Sequence, residues 1–163
     1  MQVATQERSL GLASGEGEAL WWFEGLAMLK VTGEQSSGQF SLIEMLYPAG
    51  AIVPRHVHHR EDELFYLIDG ELEMRVGERQ ISAKPGTTIF APRNIPHGFQ
   101  VGANTPVHYL ILYTPAGFEG FIRDTSRPAP TLTLPPPPDA PPTPEQLQAI
   151  SEMMRERYGC EWA

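Results

Sequence analysis

GAIVPRHVHHREDELFYLIDG, residues 50–70, decides how the rest of the chain is read. His56, Val57 and His58 fall into the alternation of an extended strand, so the two imidazoles at i and i+2 share one face. Glu63 lies five residues beyond His58, past a charged turn of Arg60, Glu61 and Asp62, and opens a second strand over residues 64–68, rich in aromatic and aliphatic side chains. Its carboxylate can swing back toward the imidazole pair. A fourth candidate, His97, stands in GTTIFAPRNIPHGFQV, residues 86–101, where it begins another strand after a Pro-marked turn. Three strand segments thereby converge on one point. His59 alternates to the opposite face and reads as a surface residue, and Glu61 and Asp62 read as solvated turn carboxylates.

Outward from this centre, short apolar or alternating runs recur every 8 to 12 residues or so, the spacing of an all-β sandwich or barrel. Strands are expected over residues 20–23, 26–32 and 39–46, separated by Gly25 and a turn over residues 33–38. Residues 71–76 and 80–83 read as a hairpin with one wet face, followed by strands over 87–91, 97–101 and 106–114. If Glu63 faces inward, period two sends Phe65 and Leu67 inward as well, and the same rule from His97 sends in Phe99 and Val101. His108, on a late strand, reads as a paired core or surface histidine.

The first stretch matches the first cupin motif, G(X)5HXH(X)4E(X)6G, at Gly50, His56, His58, Glu63 and Gly70. The second resembles the second cupin motif, G(X)5PXG(X)2H(X)3N, through Gly86, Pro92 and His97, with Asn94 in place of the middle Gly and Val101 in place of the final Asn. Asn tolerates the left-handed turn conformation that the glycine would supply, whereas Val101 cannot make an Asn's polar contact. Residues 21–33 and 115–124 further resemble the bacterial quercetin dioxygenase-like branch of the cupins. The resemblance implies a double-stranded β-helix, the cupin jelly-roll barrel, which removes most exposed edges and encloses a pocket.

It also implies one divalent transition metal per chain, held by His56, His58, Glu63 and His97. Four ligands leave two positions of an octahedral ion open, and Fe, Mn, Ni, Cu and Zn all suit the donors. On this resemblance the chain is a dioxygenase that adds both atoms of O2 to a flavonol or similar enolisable molecule. Glu63 then serves as ligand and base, Phe65, Phe90 and Phe99 wall the aromatic substrate, and Trp21 and Trp22 cover the mouth. A metal-containing module that binds a small molecule without turning it over is the alternative, since this fold hosts both.

Composition changes at Arg127. Nine of the sixteen prolines lie in residues 128–144, which reads as an extended spacer. Three regions follow: a barrel with its N-terminal arm over 1–127, a Pro-rich linker over 128–143, and a C-terminal helix and tail over 144–163. Thr143, Pro144 and Gln146 form a helix start with a capping box, Gly159 a stop, and Leu147, Ile150, Met154 and Tyr158 one apolar face. Such a face packs on the barrel or on a second subunit.

The 163 residues suit one domain with a real core. The formal net charge of -8, from 20 acidic and 12 basic residues without a basic cluster, argues against nucleic acid or an anionic membrane as partner. Cys160, the single cysteine, excludes an intramolecular disulfide. With no signal-like or membrane-spanning run, the chain is expected in the cytoplasm, there as a homodimer. Residues 1–15, polar and rich in small side chains, are expected to be a mobile arm or a strand ordered by a partner subunit. No Gly-rich phosphate loop or nucleophile elbow is present, which leaves metal chemistry as the favoured kind.

Overall fold

The computed structural model describes residues 9–163. The arm expected over residues 1–15 therefore lies in large part outside the described residues, and residues 9–17 form neither strand nor helix. The strands are β1 (Glu18–Trp22), β2 (Gly25–Val31), β3 (Ser41–Tyr47), β4 (Ile52–His58), β5 (Asp62–Asp69), β6 (Leu72–Val76), β7 (Arg79–Ala83), β8 (Thr88–Ala91), β9 (His97–Val101), β10 (Val107–Thr114), β11 (Arg127–Pro128) and β12 (Cys160–Trp162). The helices are α1 (Gly33–Ser36), α2 (Glu119–Thr125) and α3 (Pro144–Tyr158). The strands form two antiparallel sheets, one ordered β11-β1-β2-β3-β10-β5-β8 and the other β12-β4-β9-β6-β7, in the expected all-β jelly-roll barrel with a C-terminal helix.

Alternation along the strands builds the core between the sheets. β3 buries Ser41, Ile43, Met45 and Tyr47, β10 buries Val107, Tyr109, Ile111 and Tyr113, and β5 buries Glu63, Phe65 and Leu67. Phe65, Leu67, Phe99 and Val101 all point inward, as period two from Glu63 and His97 requires. Each large apolar side chain so enclosed contributes about 1.5–3 kcal/mol relative to exposure. Gly70, which ends the first motif, holds φ +78, and a Cβ there would run into the Pro106 carbonyl. Asn94 takes φ 65, the left-handed conformation for which it replaces glycine.

Some elements differ from the sequence reading. The turn over residues 33–38 contains the one-turn helix α1, capped by Thr32 and Gln35. α2 was not anticipated, although Phe118, Phe121 and Ile122 recur at helical spacing and are all buried. Glu119 within it is buried and accepts backbone hydrogen bonds from Gly33 at 2.8 Å and Gly117 at 2.7 Å. Its side chain ties α1 to α2.

α3 begins and ends at the expected caps, with Thr143 and Gln146 in a capping box and Gly159 in the left-handed conformation. It packs on its own barrel. Met154 is buried in the common core, with Ile150 and Tyr158 against it. Asp124 of α2 accepts from the Tyr158 hydroxyl and pairs with Arg157 at 2.9 Å, which latches the two helices together. The tail continues as β12, an unanticipated strand that extends the second sheet beside β4, with Cys160 opposite His58 and Trp162 opposite His56. Residues 129–143 contain no helix or strand, and β11 pins their start to β1. Among the described residues no helix is long and apolar enough to cross a membrane.

Candidate metal centre and its cavity

β4, β5 and β9 deliver the four expected ligands to one place. His56, His58, Glu63 and His97 offer donor atoms that all lie within 4.8 Å of one another. His58 Nε2 is 3.0 Å from Glu63 Oε1, and His97 Nε2 is 2.6 Å from Glu63 Oε2. The register of β4 against β9 slips between Val53 and His56, so His56 comes to lie opposite His97. Gly98 makes room for this irregularity, because a Cβ there would stand 2.8 Å from the Val53 carbonyl oxygen and 2.9 Å from the Arg55 nitrogen.

Each imidazole is oriented by an acceptor on its other nitrogen. Nδ1 of His56 faces the Pro54 carbonyl at 2.8 Å, Nδ1 of His97 faces the Ile95 carbonyl at 3.0 Å, and Nδ1 of His58 faces Glu61 Oε2 at 3.2 Å. With Nδ1–H donating, the Nε2 lone pairs turn toward the common centre. Glu61 is therefore not the solvated turn residue expected. It is 3% exposed and fixes His58. Asp62 does sit at the surface, paired with Arg93 at 3.0 Å. His59 lies outside, between Asn94 and Glu161, and His108 pairs with Glu44 at 2.7 Å, both in the roles expected.

The donors fit a divalent first-row ion. His58 Nε2, Glu63 Oε2 and His97 Nε2 are buried without a hydrogen-bond partner of acceptable geometry, so an ion among them would satisfy three orphaned polar atoms at once. Burial pushes the His56 imidazole down to about 4, which keeps it neutral and able to ligate at neutral pH. Burial lowers His58 too, but the Glu63 charge together with side-chain contacts to Cys160, Glu61 and Glu63 outweighs it and raises His58 well above the usual histidine range. Burial raises Glu63, yet the charge and close approach of the His58 and His97 imidazoles hold its carboxyl well below the carboxylate range. Without metal, then, Glu63 and His58 share an ion pair.

The cluster forms one end of a cavity of about 590 Å³, within the usual size of small-molecule sites. Phe65 and Phe99 line it as expected, together with Tyr47, Tyr109, Ile111 and Tyr113. Phe90 does not. The alternation that buries Ile89 and Ala91 turns Phe90 outward, 57% exposed on the far side of the first sheet. Trp22 lines the cavity, its Nε1 donating to Thr125 Oγ1 at 2.9 Å, whereas Trp21 lies outside it, donating to the Thr133 carbonyl and carrying Arg127 over its ring. α3 and β12 supply a wall that sequence reasoning missed, through Ile150, Met154, Cys160 and Trp162. The tyrosines were visible in principle, since Tyr109, Ile111 and Tyr113 alternate on one face of β10, but their partner strand was not.

A jelly-roll barrel with three histidines and a glutamate at one end of its cavity defines a metal-site β-barrel. Residues 43–113 match the cupin domain, the family to which this part of the chain is similar. Quercetin 2,3-dioxygenase of Bacillus subtilis (strain 168) is 27% identical to it over 117 residues, 72% of this chain and 34% of that protein. An uncharacterised protein of Methanocaldococcus jannaschii is 30% identical over 70 residues, 43% of this chain and 56% of its own length. The chain thus spans about a third of the first curated relative and just over half of the second. A predicted oxalate decarboxylase from Thermotoga maritima shares the fold with a TM-score of 0.60 and 18% identity, over 65% of this chain and 99% of that one.

Proposed function

We propose that this protein is a metal-dependent dioxygenase of the quercetinase kind, acting on a flavonol or a similar enolisable small molecule. The observation that carries the reading is the junction of a three-histidine, one-glutamate cluster with a cavity whose walls are almost wholly aromatic and aliphatic. The similarity to the Bacillus dioxygenase over 72% of the chain supports it. A bound redox-capable ion supplies Lewis acidity toward the substrate hydroxyl and a meeting point for O2. The protein's own part is to orient and to exclude water. Phe65 and Phe99 hold the substrate ring in a fixed plane, and α3 with β12 walls the cavity beside His56. In this reading Glu63, buried within the cluster, accepts the substrate's hydroxyl proton.

The reading extends to a cytoplasmic homodimer, supported by the exposed apolar side chains Leu64, Tyr66, Ile68 and Phe90 on the outer face of β5 and β8. A second functional reading, a metal-containing binding module, is favoured by one fact: the chain spans only 34% of the dioxygenase it resembles.

Elemental mass spectrometry of untagged protein, wild type and Glu63→Ala together, decides between them when combined with oxygen uptake on adding quercetin. The enzyme reading expects about one redox-capable ion per chain, lost in the variant, and stoichiometric O2 consumption. Zinc, or no metal, without O2 uptake would replace it with the module.

A further inference from the structure

The mouth of the cavity is apolar except at one carboxylate. Phe23, Ile52, Leu147 and Trp162 line the cavity and are each between 47% and 59% exposed, whereas Glu63 and His97 at its inner end are buried. Phe23 lies in the turn between β1 and β2, Ile52 in β4, Leu147 in α3 and Trp162 in β12, so four separate elements meet at the opening. Glu24, the exposed neighbour of Phe23 in the same turn, lines it too. Among the described residues no lysine or arginine lines the cavity, and its two carboxylates are Glu24 at the mouth and Glu63 in the metal cluster.

Phe23 is held there against its backbone preference. Trp22 pairs with Gly25, which leaves Phe23 and Glu24 as a two-residue hairpin turn. Phe23 takes φ 51, a left-handed conformation that such turns ordinarily give to Gly, Asn or Asp and that is an outlier for a bulky side chain. Among the described residues the other non-glycine positions with positive φ are Ser37 and Asn94, both small and polar. Strain of this kind persists where a ligand site uses the side chain. The turn is also fixed against the cavity. A Cβ on Gly25 would stand 3.1 Å from Tyr47 Cε1, so the backbone beside the turn rests on the Tyr47 ring. Trp22, anchored by Thr125, meets Phe118 edge-on at 6.5 Å, and Phe118 lies 4.3 Å from the His58 ring. With Phe23 at 5.2 Å from Trp22, three aromatic rings lead from the cluster to the mouth. Burial, and after it the charge of Glu24, raises the Tyr47 hydroxyl above the usual tyrosine range, so the field of Glu24 reaches inside.

We propose that the Phe23–Glu24 turn is the specificity-determining lip of the cavity. Phe23 makes apolar contact with the part of a ligand that lies at the mouth, and Glu24 repels ligands that carry a negative charge there. The site therefore takes molecules whose outer end is uncharged and apolar, and discriminates against those with a carboxylate, sulfonate or phosphate at that end. This adds a rule of admission to the reaction proposed above. It rests on that reading for the cavity being a small-molecule site, and not for the chemistry at the metal.

The test uses two fluorescent probes that differ by one charged group, N-phenyl-1-naphthylamine and 8-anilinonaphthalene-1-sulfonate, titrated into the protein as purified. Wild type is expected to bind the uncharged probe about tenfold more tightly, because the sulfonate must shed water beside a carboxylate. Phe23→Gly should weaken the uncharged probe about fivefold through lost apolar contact. Glycine suits the turn, so the urea midpoint of that variant should stay at or above the wild-type value. Phe23→Asn, which also tolerates a left-handed turn, should weaken the probe to a similar extent. Glu24→Gln should narrow the ratio of the two dissociation constants about threefold, the scale of one charge roughly 8 Å away near a surface. Added salt should narrow the ratio in wild type and move it less in Glu24→Gln. Tighter binding of the sulfonate by wild type, no binding of the uncharged probe, or its undiminished binding in both Phe23 variants would overturn the inference. So would a lowered urea midpoint in both of them, which would make Phe23 a structural residue, or a ratio indifferent to Glu24→Gln and to salt. Oxygen uptake with quercetin is read apart from these constants: its absence removes the dioxygenase and leaves the lip standing.

Discussion

Glu61 shows how much of a metal centre can sit outside its ligands. Its carboxylate, buried at 3% exposure and 3.2 Å from His58 Nδ1, fixes the tautomer that aims Nε2 at the centre. His58→Ala should abolish stoichiometric metal binding, and Glu61→Leu should weaken it about 10- to 100-fold, both read by chelator competition. An unchanged affinity in the Glu61 variant would show the contact to be incidental. The pH dependence has a definite sign. Glu63 is depressed in the metal-free fold, so its contribution to stability is present above the ordinary carboxylate value and is lost as pH falls through the folded one. His58 is raised, so its contribution is complete below the ordinary histidine value and is lost only as pH rises through the folded one. At neutral pH an incoming ion must displace that His58 proton, and affinity should rise about tenfold per pH unit between pH 6 and 8. A flat profile in the same chelator competition would contradict the ion pair. The four ligands were legible because their spacing is a property of local sequence. Glu61 was not, because period two says nothing across a turn, and its carboxylate is approached from about sixty residues away, where a Cβ on Gly117 would stand 3.6 Å from its Oε1.

At the scale of elements, α3 and β12 add a wall to the barrel's cavity. α3 itself was readable from caps and apolar spacing, since both are local. β12 was not, because a three-residue strand, Cys-Glu-Trp, carries no periodic signal and exists only where β4 presents a free edge. α2 could have been found from Phe118, Phe121 and Ile122 had helical spacing been sought between strands. Met154 is the main buried contact of α3. Methionine-to-alanine changes in cores cost about 2–5 kcal/mol. Met154→Ala should fall near the lower end, because part of its surroundings is cavity already. Urea unfolding would measure it, and a loss well under 1 kcal/mol would mean that α3 is held by its ion pairs and caps instead of by packing.

For the whole molecule, the outward turn of Phe90 that removed it from the cavity places it on a candidate subunit interface with Leu64, Tyr66 and Ile68. If the proposed homodimer forms there, Tyr66→Asp with Phe90→Asp should yield a monomer by light scattering while metal content stays at the wild-type value. A dimer that survives both charges must use another face. The all-β class and the barrel were legible from strand spacing and the two motifs. The pairing order of β12, β4 and β9 was not, because register between distant segments is fixed only when the sheets close.

The segment over residues 129–143 also bears on assembly. It joins the barrel to α3 and β12 without a helix or strand of its own, and if it acts as a linker it keeps that piece at high local concentration. A chain cut within it becomes two polypeptides that can find each other again. The barrel alone would have its cavity open on one flank, and a peptide of residues 143–163 added in trans would restore that wall. The dissociation constant of that pair would measure directly what it is worth to the protein to shut its own pocket.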